Sequence, residues 1–315
     1  MNTTQWPKPT IGISSCLLGN RVRHNGEHKR NDWIVDQLGP HVAWIPLCPE
    51  VQMQLGVPRE TLRLVGTAEN PSLWTVKTKI DHTEKAHQTF QSMLAQHYAF
   101  DSYIFKKDSP TCGLERVKVY GKGGIPTKAA VGLYAQHVKN LYPQTPMIEE
   151  GRLSDTKQRE NFLIQLFAWA RFRKLPLKIS HLQLFHQTHK LQFMVYDPQA
   201  YQKLGKIAAH SDRSPPERVF KDYQESLHSL LQKPLSKKKY INAFQHMMGY
   251  FKDQLSSKEK QHILTVLDEY RDEIIPLSAV STLFKYLIDQ HAVEYLQHQT
   301  LLEPYPSSIH VRGES

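Results

Sequence analysis

The chain contains three cysteines, Cys16, Cys48 and Cys112. Each follows a short apolar, strand-like run: Thr10-Ile-Gly-Ile-Ser-Ser before Cys16, Val42-Ala-Trp-Ile-Pro-Leu before Cys48, and a run opening at Tyr103 before Cys112. An odd number of widely spaced cysteines is not a disulfide framework. It suits metal ligation or catalysis in a reducing cytoplasm. If the three runs are parallel neighbours, the thiols meet at the carboxyl edge of one sheet, where open α/β folds bind ligands. Three thiolates there could hold three corners of an iron–sulfur cube and leave one iron open. The same residues also suit a plain core, because free cysteine packs as a small hydrophobe.

The neighbours sharpen this choice. Pro49 suits the first position of a helix, which makes Cys48 the N-cap, with its thiolate favoured by the helix dipole. Glu50 then lies in the first turn. It is either a dipole partner or, beside an open metal, a general base. Ser109 shares a tight loop with Cys112, stiffened by Pro110 and turned at Gly113. It can donate a hydrogen bond, relay a proton, or simply make the turn. The loop after Cys16 carries Arg21, Arg23, Asn25, Lys29 and Arg30. It is either a phosphate grip or solvated surface.

The elements that must position these residues alternate. Asn31-Asp32 predicts a short helix through Leu38, and a strand ends before Cys48. Gly56–Gly66 reads as a tight loop entering a strand, and Leu73–Thr78 as another strand. Asp81 and Glu84 have capping-box spacing for a helix to about Tyr98. A strand over Ser102–Lys106 follows. Gly121-Lys-Gly-Gly124 lacks the spacing of a P-loop or dinucleotide fingerprint; it reads as a flexible link into a helix over Ala129–Leu141. Thr145–Glu150 is the last strand, and Asp155 with Gln158 caps a helix to about Phe172. The expectation is an α/β Rossmann-like N-terminal domain with a mostly parallel sheet, residues 1–175, followed by an all-α helical C-terminal domain, residues 176–315. In the second domain the apolar spacing predicts helices over Ser180–Tyr196, Gln199–His210, Pro216–Gln232, Lys237–Gln254, Lys258–Glu273 and Leu277–Gln290, with a short one near His291–Gln299. Residues 211–216 read as a turn, and Ser256 with Glu259 as a capping box.

Formal net charge is +10 over 315 residues, shared by both halves. Such a chain attracts an acidic partner, of which nucleic acid is the commonest. Arg171, Arg173, Lys174 and Lys178 cluster at the domain junction. Lys237, Lys238 and Lys239 stand beside Tyr240, and Lys203, Lys206 and Arg213 form a further set. Each is a candidate phosphate contact, or else a solvated helix face. His181, His186 and His189 lack a cysteine or carboxylate partner nearby and read as surface or core histidines rather than a metal site. No apolar run approaches the roughly 20 residues of a membrane helix, and residues 1–10 lack the apolar core of a signal peptide. The expected setting is cytoplasmic, with no membrane partner.

Taken as a set, Cys16-Leu-Leu-Gly19, Val22-Arg23, Cys48-Pro-Glu50, Pro58-Arg59, Arg63-Leu-Val-Gly66, Ser109-Pro-Thr-Cys-Gly113 and Glu149-Glu-Gly-Arg-Leu153 resemble the thiouracil desulfidase family over about the first 170 residues. The resemblance implies a [4Fe–4S] cluster with Cys16, Cys48 and Cys112 as ligands and one iron without a protein ligand. It places Glu50 at the acid/base carboxylate and Ser109 at the assisting serine. Arg23, Asn25 and Lys29 fall where substrate contacts are expected. Asn25-Gly26 departs from the more usual Asp-Gly, and Thr111 replaces a frequent serine. The second half is similar to YbgA-like helical domains. Proteins with both parts resemble tRNA 4-thiouridine desulfidases, which implies conversion of 4-thiouridine in tRNA to uridine with release of sulfide, the helical part holding the tRNA. The charge clusters are compatible with that, with Arg171, Arg173 and Lys174 at the domain junction and Lys237–Lys239 in the helical part as candidate tRNA contacts. Two other readings remain: a desulfidase of free thiouracil or thiouridine nucleotides whose helical domain serves assembly, and a non-enzymatic metal- and RNA-binding protein. A tRNA thiolase of the ATP-dependent kind would carry a Ser-Gly-Gly-x-Asp-Ser loop, which the sequence lacks. No residue pattern names an acceptor for the sulfide.

Overall fold

The structure, a computed structural model, describes residues 6–96, 98–121, 123–210 and 213–310. Its first part has eight strands: β1 (Thr10–Ser14), β2 (Ala43–Leu47), β3 (Leu62–Gly66), β4 (Pro71–Thr75), β5 (Ser102–Phe105), β6 (Val117–Tyr120), β7 (Pro126–Ala130) and β8 (Met147–Glu149). Four helices accompany them: α1 (Pro49–Gln52), α2 (Thr83–Leu94), α3 (Leu133–Leu141) and α4 (Thr156–Arg173).

The strands form two sheets. One has the order β2-β1-β5-β8 and is parallel throughout. β5 is buried at every residue, and β1 from Ile11 to Ser14. Such continuous burial is what a parallel sheet covered on both faces requires. The chain leaves β1 toward β2 on one side and reaches β5 on the other, so strand order reverses at β1. That reversal opens a crevice at the carboxyl edge. Gly12 has a reason to be glycine: a Cβ there would sit 2.3 Å from Tyr103 Cδ2. The second sheet has the order β4-β3-β6-β7. β3 pairs antiparallel with β4 and parallel with β6, and β6 and β7 form an antiparallel hairpin. Leu64, Leu73, Val119, Phe90, Tyr103, Phe105 and Tyr134 share one core between the elements.

Three local expectations need correction. The stretch expected to lead into a helix instead connects the β6–β7 hairpin, with Gly124 N donating to Gly121 O at 3.0 Å, and α3 starts at Leu133 because residues 126–130 are strand. The turn before Leu38 is π-helical over Trp33–Leu38, and Asp32 makes no side-chain cap; Asn31 Oδ1 accepts from Ile34 N at 3.0 Å. No capping box forms at α2, since Asp81 Oδ1 accepts from Thr83 N at 2.8 Å. The cap at α4 does form, with Asp155 Oδ1 accepting from Gln158 N at 2.9 Å.

The second part is helical: α5 (Ile179–Tyr196), α6 (Pro198–Ala209), α7 (Pro216–Leu231), α8 (Lys237–Met248), α9 (Ser257–Arg271), α10 (Leu277–His291) and α11 (Glu294–Gln297). α8 is shorter than its expected extent because the chain passes into a short 3-10 turn at Gly249–Phe251. Asp197 caps α6 through the amides of Gln199 and Ala200, and the Ser256–Glu259 capping box at α9 is complete in both directions. Phe244, Met247, Phe251, Val280 and Phe284 centre its core. The chain divides into two compact units between Ala170 and Arg171; the segment from Pro306 belongs with the first unit, and Trp6 with the second. Among the described residues, no helix is long and apolar enough to cross a membrane.

Candidate active site

The three cysteines stand beyond the carboxyl ends of three adjacent parallel strands. Cys16 follows β1 in a short 3-10 turn closed by Gly19 at φ +95°. Its carbonyl accepts from Gly19 N at 3.3 Å and Lys29 N at 2.9 Å, so the basic loop folds back on it. Cys48 follows β2, whose Leu47 is level with Ser14 of β1. Cys112 ends the loop after β5. Three amides near the start of α3 hold that loop: Gly132 N on Gly113 O at 2.8 Å, Leu133 N on Pro110 O at 3.1 Å, and Ala135 N on Thr111 O at 3.1 Å. No disulfide joins the thiols, and Cys16 and Cys112 are buried.

Burial pushes all three thiols up. Cys16 rises to about 11, chiefly by burial, then by the Cys48 charge; Lys106 and Arg23 pull it down. Cys112 rises furthest, through burial and then Cys48, with a hydrogen bond from Ser14 opposing. Cys16 therefore feels the charge of Cys48, and Cys112 that of Cys48 and Cys16. Cys48 is the N-cap of α1, with Pro49 at the first helical position as expected. The expected dipole activation does not prevail: burial raises Cys48 more than the amides of Val51 and Glu50 lower it.

Glu50 is held at both carboxylate oxygens. Arg59 Nε donates to Oε2 at 2.9 Å and a second guanidinium N–H pairs with the same oxygen; Thr111 Oγ1 donates to Oε1 at 2.9 Å. The two side chains of the ion pair are 4% and 14% exposed, too buried to be a solvated surface contact. Arg59 also donates to Val22 O at 2.9 Å and Gly56 O at 3.1 Å, and its own amide bonds His24 O at 2.8 Å. Ser109 Oγ accepts from Cys112 N at 3.1 Å and Thr111 N at 3.3 Å, and lies 3.1 Å from Thr111 Oγ1. With Thr111 donating to Glu50, the Ser109 hydroxyl is left to donate to Thr111. One chain of hydrogen bonds thus links the loops that carry all three cysteines.

Sequence reasoning singled out Glu50 and Ser109 and missed what joins them. Arg59, Thr111 and Ser14 were legible only as members of motifs. Glu149 and Glu150 brace the Cys112 loop: Glu149 Oε1 accepts from Leu114 N at 2.8 Å, Glu150 Oε2 from Lys107 N at 2.6 Å, and Lys106 pairs with Glu150. Of the expected substrate contacts, Arg23 lies within electrostatic reach of Cys16. Asn25 turns its side chain to Glu27 at 2.6 Å, and Lys29 is exposed.

The cations expected to grip RNA are differently placed. Arg171 is turned inward, 4.0 Å from the Trp6 ring centroid and 3.3 Å from His189 Nε2, and burial lowers it to about 9 against the charge of Glu303. Arg173, Lys174 and Lys238 are exposed. Lys237 pairs with Glu273, and Lys239 donates to Tyr196 O at the end of α5. His189 is buried, and its Nδ1 lies 2.8 Å from Phe185 O; His186 lies 3.0 Å from the Tyr223 hydroxyl. Of the surface and core positions the sequence left open, His189 takes the core and His186 is half-buried.

Residues 11–150 match the 2-thiouracil desulfurase family. Residues 190–306 match a second family model, a protein family of unknown function, DUF1722. The chain thus has the two-part arrangement that the sequence resemblance implies. Among curated proteins, it is 26% identical over 157 residues to the uncharacterized protein YbgA of Escherichia coli K12, covering 49% of this chain and 93% of that one. It is 29% identical over 110 residues to the uncharacterized protein YbbK of Bacillus subtilis 168, covering 33% of this chain and 72% of that one. Among solved structures, the [4Fe–4S]-dependent thiouracil desulfidase TudS aligns with 47% of this chain and 94% of its own, at 24% identity and a TM-score of 0.37.

Proposed function

We propose that this chain is a desulfidase of thiolated pyrimidines and that its substrate is 4-thiouridine within tRNA. The observation that carries the desulfidase reading is the union of three free thiols with a doubly held carboxylate at the strand-order reversal. Among the described residues, no three His, Cys, Asp or Glu side chains converge on a point that would hold a single metal ion. A cluster asks for something different, since each thiolate binds its own iron. Cys16, Cys48 and Cys112 fit that need: they are soft donors, unpaired and electrostatically coupled. Held by them, a [4Fe–4S] cluster would supply a soft Lewis-acidic iron for a thiocarbonyl sulfur.

The chain's own residues do the rest. Glu50 takes a proton from the attacking water, being the better base of the two candidates on reference values. Arg59 and Thr111 fix where its oxygens point. The proton taken by Glu50 passes through the Thr111 hydroxyl to Ser109, the two hydroxyl hydrogen bonds reversing, and Ser109, held by the amides of its own loop, gives its own proton to the departing sulfur. Water is consumed, a C–O bond forms, the C–S bond breaks and hydrogen sulfide leaves, with no net transfer of electrons. The basic net charge, Arg23 near Cys16 and the exposed Arg173, Lys174 and Lys238 support a polyanionic substrate.

The test is nucleoside analysis of thiolated tRNA before and after treatment with anaerobically reconstituted protein, beside free thiouracil and thiouridine monophosphate. Loss of 4-thiouridine with stoichiometric uridine and sulfide is expected. Turnover of the free compounds alone would refute the tRNA substrate, and turnover of none would refute the desulfidase.

A further inference from the structure

The mixed sheet turns one face to the core; on the other, Arg63, Trp74 and Tyr120 are half-buried, with Arg63 Nε and Trp74 Nε1 shielded and without a hydrogen-bond partner among the described residues. Leu62, Leu64, Leu73, Val117 and Val119 are buried. Alternation along the strands then puts Arg63, Trp74, Lys118 and Tyr120 on the opposite face. The register aligns them. Arg63 is opposite Trp74, Lys118 is opposite Lys128, and the pairing of Leu64 with Val119 sets Arg63 beside Lys118. One row across the four strands therefore reads Trp74, Arg63, Lys118, Lys128. The Arg63 guanidinium lies 5.0 Å from the centroid of the Tyr120 ring in the neighbouring row. Lys118 and Lys128 are exposed.

Like charges directly opposite each other on paired strands destabilise a sheet. Lysine on an edge strand protects against sheet-to-sheet pairing, which accounts for Lys128 on β7. It does not account for Arg63 and Lys118, which stand on the central strands β3 and β6. None of the four strands contributes an Asp or Glu to balance them. Asp81, bridged to Trp74, ends the row, with its Oδ1 taken by Thr83. Three aligned cations with no carboxylate on their own strands, flanked by two aromatic rings, match what an unpaired stretch of nucleic acid offers: phosphates for the cations and base faces for the rings.

We propose that this outward face of the β4-β3-β6-β7 sheet is an RNA contact surface. It deepens the tRNA reading above and rests on it. Arg63, Lys118 and Lys128 take backbone phosphates, and Trp74 and Tyr120 stack bases of a single-stranded or loop segment. Arg63 also orients the Tyr120 ring, so one residue serves both functions.

The experiment titrates the intact chain with tRNA at several salt concentrations and compares wild type with Lys118→Ala/Lys128→Ala and with Tyr120→Ala. Free thiouracil turnover serves as the check on folding and on the desulfidase itself, and it should not change. The double lysine variant should bind tRNA about tenfold more weakly at low salt, and its log-affinity against log-salt slope should be shallower by about 1.4–1.8, two phosphate contacts' worth. Tyr120→Ala should weaken binding about tenfold at an unchanged slope. Wild-type binding that neither lysine substitution alters, in affinity or slope, overturns this surface while leaving the tRNA reading standing. Absence of wild-type tRNA binding overturns both. Competition by polyglutamate as strong as by RNA would assign the face to an acidic protein instead. Should Tyr120→Ala not fold, the exposed lysine pair decides the question alone.

Discussion

At the residue scale, Glu50 is set by its partners. A carboxylate with one oxygen on an arginine and the other on a threonine hydroxyl cannot rotate freely, and preorganisation of this kind is worth orders of magnitude in rate. Arg59→Ala should lower kcat/KM for thiouracil by about 10²-fold and should reduce the iron retained after reconstitution, because Val22, Gly56 and Glu50 lose their common tie. Thr111→Val keeps the shape and removes the donor; a fall of about tenfold is expected, with Thr111→Ser close to wild type. Iron content and the visible spectrum, measured beside turnover, separate loss of the cluster from loss of positioning. An unaffected kcat/KM in Thr111→Val would remove Thr111 from the chain of hydrogen bonds. Glu50 was legible because Pro49 and Cys48 mark a helix start. Arg59 was not, since nine residues and a turn separate it from Glu50 and no periodicity joins them. Helix-dipole activation of Cys48 does not prevail in the metal-free protein because α1 has four residues, and burial outweighs the few amides at its start.

At the element scale, the parallel sheet was readable from three apolar runs, whereas the β6–β7 hairpin was not. Pro126-Thr-Lys-Ala-Ala130 has no alternating apolar pattern, and its alanines favour helix; pairing with β6 overrides that preference. This matters because α3, starting later than expected, is the element that holds the Cys112 loop. Its entry residue Gly132 leaves no room for a side chain: a Cβ there would sit 2.5 Å from Thr111 O and 2.9 Å from Gly113 N. Gly132→Ala must push the loop and helix apart. A loss of about 1–3 kcal/mol in stability is expected from such overpacking, together with weaker cluster retention. Denaturant unfolding and iron analysis of the same preparation check it. Unchanged stability would mean that the loop yields without cost.

At the scale of the whole molecule, the two units should respond differently to acid. His186 is lowered to about 4, first by burial and then by Lys190, and His189 is lowered further by burial and then Arg171. Unfolded, both bind protons near the ordinary imidazole value of about 6.5. Below that pH the unfolded chain binds more protons than the folded one, so this share of stability is complete above about 6.5 and drains away as pH falls toward 4. Hydrogen exchange on the intact chain at pH 7.5 and pH 5 should show α5 and α7 losing protection ahead of the parallel sheet. Equal loss in both units would count against the buried histidines as the cause.

The organisation of the chain also constrains how the units can be separated. The segment from Pro306 belongs to the first unit although it follows the helical one. Its Ile309 is 2% exposed, and the His310 carbonyl accepts from Trp33 Nε1 at 2.8 Å. Trp33 in turn lies under Arg159, 4.7 Å from ring centroid to guanidinium, and Arg159 Nε donates to Leu153 O at 2.5 Å. A chain cut at the junction would therefore strip the first unit of a buried anchor, and its lost activity would be misread as a role for the helices in catalysis. Ile309→Ala in the intact chain isolates the anchor. Deleting those buried carbons should cost about 2–4 kcal/mol and should speed exchange around Trp33 and α4 while leaving α8–α10 unchanged. If exchange instead rises in α8–α10, Ile309 supports the helical unit and truncation at the junction becomes a fair dissection after all.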